Sequence, residues 1–184
     1  MTLIILIVIV AGLGFYLINL YNGLVRSRNE VKSAWSSIDV TLKRRYDLIP
    51  NLVETVKGYA AHERQTLEAV VKARQQAVSF TGSVAERGKV ETILTQSLRS
   101  LFALAEAYPD LKANQNFLAL QEELATTENK IGFARQYYND MAKQYKNKIE
   151  MFPTNLIANM FSFQAEPFFQ LEAAEERVAP QVKL

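Results

Sequence analysis

The one histidine of the chain, His62, is followed by Glu63, which opens the H-E-x-x-H pattern on which metalloproteases hold zinc. That chemistry needs a second imidazole one helical turn later, and the residue there is Thr66, so a zinc protease is excluded. With no cysteine in the chain, disulfides, thiol catalysis and thiolate metal sites are excluded too. What remains is charge. Arg44, Arg45, Asp47 and Glu54 surround Pro50 in one stretch, and Glu128, Asn129, Arg135 and Asn139 form another. Glu128 and Arg135 stand two helical turns apart, on one side of a helix. Such a set could bind a ligand or partner as a semi-buried charged site, or serve as interhelical ion pairs that fix register. Charge pairs beside an apolar seam favour the second role. Neither role calls for a cofactor.

These residues need helices to position them, and the first helix begins in a membrane. Every acidic and basic residue of the 184 follows Val25. Leu3 to Leu20 reads LIILIVIVAGLGFYLINL, long enough at about 1.5 Å per residue to cross a bilayer core within an uncharged run of residues 1–25. No basic region precedes it and no small-x-small site follows, which argues for an anchor and against a cleaved signal peptide. Phe15, Tyr16, Asn19, Tyr21 and Asn22 gather at the exit, where amphipathic side chains suit the headgroup level. Arg26, Arg28 and Lys32 follow, so the positive-inside rule predicts a minimal N-terminus outside and the body in the cytoplasm. The opposite orientation loses on charge, although Glu30 weakens the bias. A net charge of +2 is too small for a general nucleic-acid binder.

After residue 26 the composition is rich in Ala, Leu, Glu, Lys, Arg and Gln and shows no period-two alternation, so the expectation is all helix. The first helix continues from the span with a stripe of Val31, Trp35, Ile38, Leu42, Tyr46, Ile49, Val53 and Val56; Pro50 predicts a kink near Tyr46. A second, at about 63–79, presents Leu67, Val70, Val71, Ala77 and Val78 and stops at Phe80-Thr81-Gly82. Ser83 and Glu86 form a capping box for a third, with Val90, Ile93, Leu94, Leu98, Leu101, Phe102 and Ala105, ending near Tyr108 before Pro109. The fourth carries a heptad seam of Phe117, Leu120, Leu124, Thr127, Ile131, Ala134, Tyr138, Met141 and Tyr145, closed by Phe152-Pro153. Four such stripes are hidden together by an antiparallel up-and-down four-helix bundle with long first and last helices. A long self-associating coiled coil is the alternative. The predicted division is a transmembrane anchor over 1–25, the bundle over 26–152 and a Phe-rich C-terminal tail over 153–184. The tail is expected to fold back along the bundle, with partner docking or insertion at the membrane surface as the alternative, and residues 172–184 to form a frayed extension.

Five stretches carry a resemblance. They are Arg45-Tyr46-Asp47-Leu48-Ile49-Pro50-Asn51-Leu52-Val53, the Tyr108 to Ala113 turn, Leu120 to Ile131, Ala134-Arg135 with Tyr138-Asn139, and Phe152-Pro153. In this order the chain resembles the bacterial LemA family over nearly its whole length. The resemblance implies a single-pass protein of the inner membrane with a four-helix bundle and no known enzymatic activity. It also implies association with membrane proteases of the HtpX type and with magnetosome-like or envelope-stress membrane organisation. The expected function is therefore a non-enzymatic scaffold or adaptor that forms a homo-oligomer and organises other membrane proteins; the alternative is a sensor module binding a ligand or peptide. A seam that is nearly all apolar or aromatic disfavours an internal ligand site.

Overall fold

The computed structural model describes residues 1–170, without the side chain of Ala85. Six helices follow one another: α1 Thr2–Lys57, α2 Arg64–Ser79, α3 Val84–Ala105, α4 Pro109–Lys112, α5 Gln115–Glu150 and α6 Thr154–Met160, with no strand among the described residues. They fall into two compact units, and α1 and α5 run through both. One unit holds residues 1–38 and 134–168, the other residues 39–133 with Phe169 and Gln170. The predicted extension at 172–184 lies outside the described residues.

In the first unit, the start of α1 is long and apolar enough to cross a membrane, and its most apolar window is nowhere buried in the protein. Packing starts at Leu24 and recurs at Val31, Ala34 and Ile38, a helical spacing that turns one face of α1 inward. Tyr138, Ala142 and Tyr145 of α5 and Ile157 and Ala158 of α6 complete this core. Trp35 meets Tyr138 edge-on with ring centroids 5.4 Å apart. The tail folds back as far as Pro167, whose carbonyl accepts the Tyr138 hydroxyl at 2.8 Å. Burial pushes that hydroxyl up to about 12.

The second unit is built on Leu42, Tyr46, Ile49, Leu52 and Val56 of α1, with Leu67, Val70, Ala73 and Ala77 of α2 and Leu94, Leu98 and Leu101 of α3. Phe117, Leu124, Thr127 and Ile131 carry the α5 seam into it. Val71, Val78 and Ile93, expected in the stripes, are exposed. Val71 follows Val70 by one residue and so points about 100° away from it around the helix. The capping box is present: the Glu86 amide donates to Ser83 Oγ at 3.3 Å and the Ser83 amide to Glu86 Oε2 at 3.0 Å. Just before it, a Cβ on Gly82 would come within 2.3 Å of the Phe80 ring, so glycine is what lets that ring close over the turn.

Pro109 behaves differently from expectation, and Pro50 sits inside α1. Pro109 is the first residue of the short α4 rather than a simple stop, since its missing N–H costs nothing at that position. Helix α3 ends at Ala105, earlier than Tyr108, which is extended toward the proline ring. At Pro50, α1 continues without a break. The lost backbone donor leaves the Tyr46 carbonyl without its helical partner, and Arg74 of α2 replaces it, with Nε donating at 2.7 Å.

Candidate functional site, a buried charged cluster

Arg45 lies three residues after Leu42 and four before Ile49, on the inward stripe of α1. Its side chain is 3% exposed. On the facing helix, Glu91 precedes Leu94, Leu98 and Leu101 by the same three-and-four spacing and is equally enclosed. The guanidinium Nη1 sits 3.4 Å from Glu91 Oε2 and 3.3 Å from Glu128 Oε2 of α5. Its Nη2 donates to Thr95 Oγ1 at 2.7 Å, and the Thr95 hydroxyl donates to the Glu91 carbonyl at 2.9 Å. The Tyr46 hydroxyl donates to the other oxygen of Glu91. One cation thus joins α1, α3 and α5, and the Arg74 contact to the Tyr46 carbonyl adds α2.

The electrostatics follow from enclosure. Burial raises the Glu91 carboxyl above the ordinary carboxylate range and the nearby Glu128 charge adds to the rise, while the Tyr46 hydroxyl, Arg45 and Arg87 oppose it. The Tyr46 hydroxyl is itself raised, first by burial and then by the Glu91 charge. A carboxyl with a raised pKa is a possible proton donor or acceptor. Here one oxygen accepts from Tyr46 and the other faces Arg45, inside a side chain that solvent barely touches. The arrangement ties helices together around two enclosed charges, with Glu128 the member that reaches solvent.

Of the residues singled out in the sequence, the structure brings Arg45 and Glu128 together. Asp47 is exposed and pairs with Lys43 at 2.7 Å along the same helix, and Arg44 pairs with Glu123. Pro50, Glu54 and Asn129 are exposed; Arg135 and Asn139 are half-buried in the first unit. Glu91, Thr95 and the partner role of Arg74 were missed. Their signal was the spacing itself, since Glu91 occupies a stripe position that a list of apolar residues skips. The expectation of a nearly apolar interior is corrected accordingly: a polar group does converge inside it.

The second unit carries several clefts. One of about 290 Å³ borders the cluster at Thr95 and Glu128. A larger one, about 520 Å³, lies between α1 and α2, where Val53, Leu67 and Val71 share the lining with Lys57, Arg64 and Lys72. Among the described residues no group of three or more His, Cys, Asp or Glu side chains could hold a metal ion.

The LemA family profile matches residues 34–184, the segment containing the whole cluster. This chain belongs to the LemA family. It is 29% identical to Protein LemA of Metamycoplasma hominis over 158 residues, covering 84% of this chain and 70% of that one. It is 24% identical to Magnetosome protein MamQ 2 of Paramagnetospirillum magneticum over 189 residues, covering 88% of this chain and 70% of the relative. Magnetosome protein MamQ of Magnetospirillum gryphiswaldense is 21% identical with the same coverage. None of these names states an enzymatic activity. Helix content, an N-terminal helix able to span a membrane and the family profile agree on a membrane-associated protein of LemA type.

Proposed function

We propose that this LemA protein is a membrane-anchored, non-enzymatic scaffold that self-associates and gathers other membrane proteins, a membrane protease of the HtpX type among the candidates. It is anchored in the bacterial inner membrane by residues 1–25, with its N-terminus outside and its body in the cytoplasm. The body, residues 26–152, is an up-and-down four-helix bundle. Two pairs of contacts support that topology. In the first unit Ser27 meets Lys148 and Trp35 meets Tyr138, so α1 and α5 step in opposite directions; in the second, Arg44 meets Glu123 and Tyr59 meets Asn114 in the same sense.

The observation that carries the non-enzymatic reading is the enclosure of Arg45 and Glu91 within the cluster. The side chains best suited to chemistry satisfy one another and set helix register. A sensor module is the second reading, favoured by the α1–α2 cleft, where Lys57, Arg64 and Lys72 outnumber the single carboxylate of Glu68 beside apolar residues, an excess of positive charge that suits an acidic peptide. Extraction into native nanodiscs followed by mass photometry tests self-association: a homo-oligomer is expected, and a clean monomer at cellular density refutes it. Crosslinked affinity purification from the same membranes then identifies what is gathered. For orientation, Lys130→Cys should resist a membrane-impermeant thiol reagent in intact cells, and ready labelling reverses the topology.

A further inference from the structure

We propose that α6 and the turns flanking it form a second, interfacial membrane contact, lying in the headgroup layer at the point where α1 leaves the bilayer. The inference rests on the reading of residues 1–25 as a span. Three observations in the first unit carry it.

The first is position. Tyr21 follows directly on the exposed apolar run that ends at Leu20, and its ring packs on Phe161 at 4.8 Å and Phe163 at 5.7 Å. The chain leaving α6 is therefore fixed to α1 at the level of the exit. Protein cover of α1 begins at Leu24, about one turn farther, so lipid has access to α1 up to the height where α6 sits.

The second is an unpartnered face. Helix α6 turns Ile157 and Ala158 inward, and α6 with the turn before it leaves Met151, Phe152, Leu156 and Met160 between 56% and 78% exposed. Four large apolar side chains on a few turns of chain would be a costly surface in water.

The third is composition and charge placement. Between Glu150 and Glu166 there is no charged side chain, only apolar, aromatic, amide and hydroxyl groups, as suits a segment lying at headgroup depth. Cations stand immediately outside it: Lys148 is bonded to Ser27, and the Arg28 guanidinium lies 5.2 Å from the Phe163 ring centroid. They sit where lipid phosphates would be found. Continuity with the span commits the face to the bilayer rather than to a second copy of the chain. An insertion of about 5–10 Å into the headgroup and acyl boundary would cover it.

The native chain has no cysteine, so single cysteines report from one place each. Full-length Leu156→Cys, Met160→Cys, Val10→Cys and Gln136→Cys variants are labelled with nitrobenzoxadiazole in phosphatidylethanolamine–phosphatidylglycerol vesicles. Nitroxide quenchers are placed high on the acyl chain or near its end. Labels at 156 and 160 should lose most of their emission to the shallow quencher and less to the deep one. The label at 10 should lose most to the deep quencher. The label at 136, about 18 Å back along α5 from Lys148, should respond to neither. If 156 and 160 behave like 136 while 10 is quenched, the interfacial contact is wrong and the anchor stands. A blue-shifted but unquenched signal at 156 and 160 means protein covers the face, which also overturns the proposal. If 10 is unquenched, the span itself is wrong.

Discussion

Replacing Arg74 by methionine removes the donor that holds the Tyr46 carbonyl and keeps a side chain of similar length. That carbonyl belongs to a residue 7% exposed and has no helical partner because Pro50 lacks an N–H. Leaving such an acceptor unmade costs about 1–3 kcal/mol, with the upper half applying because the lost donor is charged. Pro50→Ala returns a backbone donor four residues on, so in that background Arg74→Met should forfeit only packing. The difference between the two backgrounds is a coupling energy, expected between about 1 and 3 kcal/mol. Pro50→Ala alone should stabilise by less than the roughly 3 kcal/mol that separates proline from alanine inside a helix, because Arg74 already repairs part of the damage. The assay is reversible urea unfolding of the full chain in detergent, followed by circular dichroism for the wild type, both single variants and the double. Additivity within about 0.5 kcal/mol would refute the reasoning, because the Arg74 contact would then be independent of the proline.

Arg45→Met strands Glu91 in the interior and should destabilise by about 3–5 kcal/mol, whereas Arg45→Met with Glu91→Leu should recover most of that loss in the same unfolding assay. A pH dependence follows from Glu91. Its folded pKa is raised, so between the ordinary carboxylate range and that higher value the native state binds the extra proton, and stability falls as pH rises through this window; Glu91→Gln should flatten that limb. At the alkaline end, Tyr138 ionises at about 12 when folded against 10.0 when free, so stability should fall again across that interval and Tyr138→Phe should remove its share. Ser83→Ala breaks the capping box of α3 and should cost about 1 kcal/mol in the urea midpoint analysis, with helix content otherwise unchanged.

How well the fold could be read depended on how unmixed each stripe was. In α5 the inward positions Phe117, Leu124, Thr127, Ile131, Tyr138 and Tyr145 are apolar, aromatic or hydroxyl, and three-and-four spacing alone identifies them. In α3 the inward face is Glu91, Leu94, Leu98, Leu101 and Ala105, and apolar residues one step off that face, Val90 and Ile93, blurred it. Helix α4 escaped because a proline read as an end can equally be a beginning, and only the tertiary setting of the four following residues decides which. The exposed face of α6 was even less legible, since its meaning depends on Tyr21, far away in the chain and adjacent in space.

The charged cluster was half legible for a related reason. Position along α1 places Arg45 on the buried stripe, and a buried cation needs an anion on a facing helix, but periodicity within one helix cannot say which helix faces it or at what height. Tertiary packing supplies that information, and the sequence carries it only as complementarity: one arginine on the α1 stripe, one glutamate on the α3 stripe and one beside the α5 seam. Sliding α3 along α1 by one turn would part Glu91 from Arg45 and Thr95 from the Arg45 guanidinium, and breaking a buried ion pair in this way costs several kcal/mol. Leucine against leucine would tolerate that slip with far smaller loss. The apolar stripes thus bring the helices together without choosing among registers, and on the proposed register role the Arg45 cluster would make one register lower in energy than its neighbours.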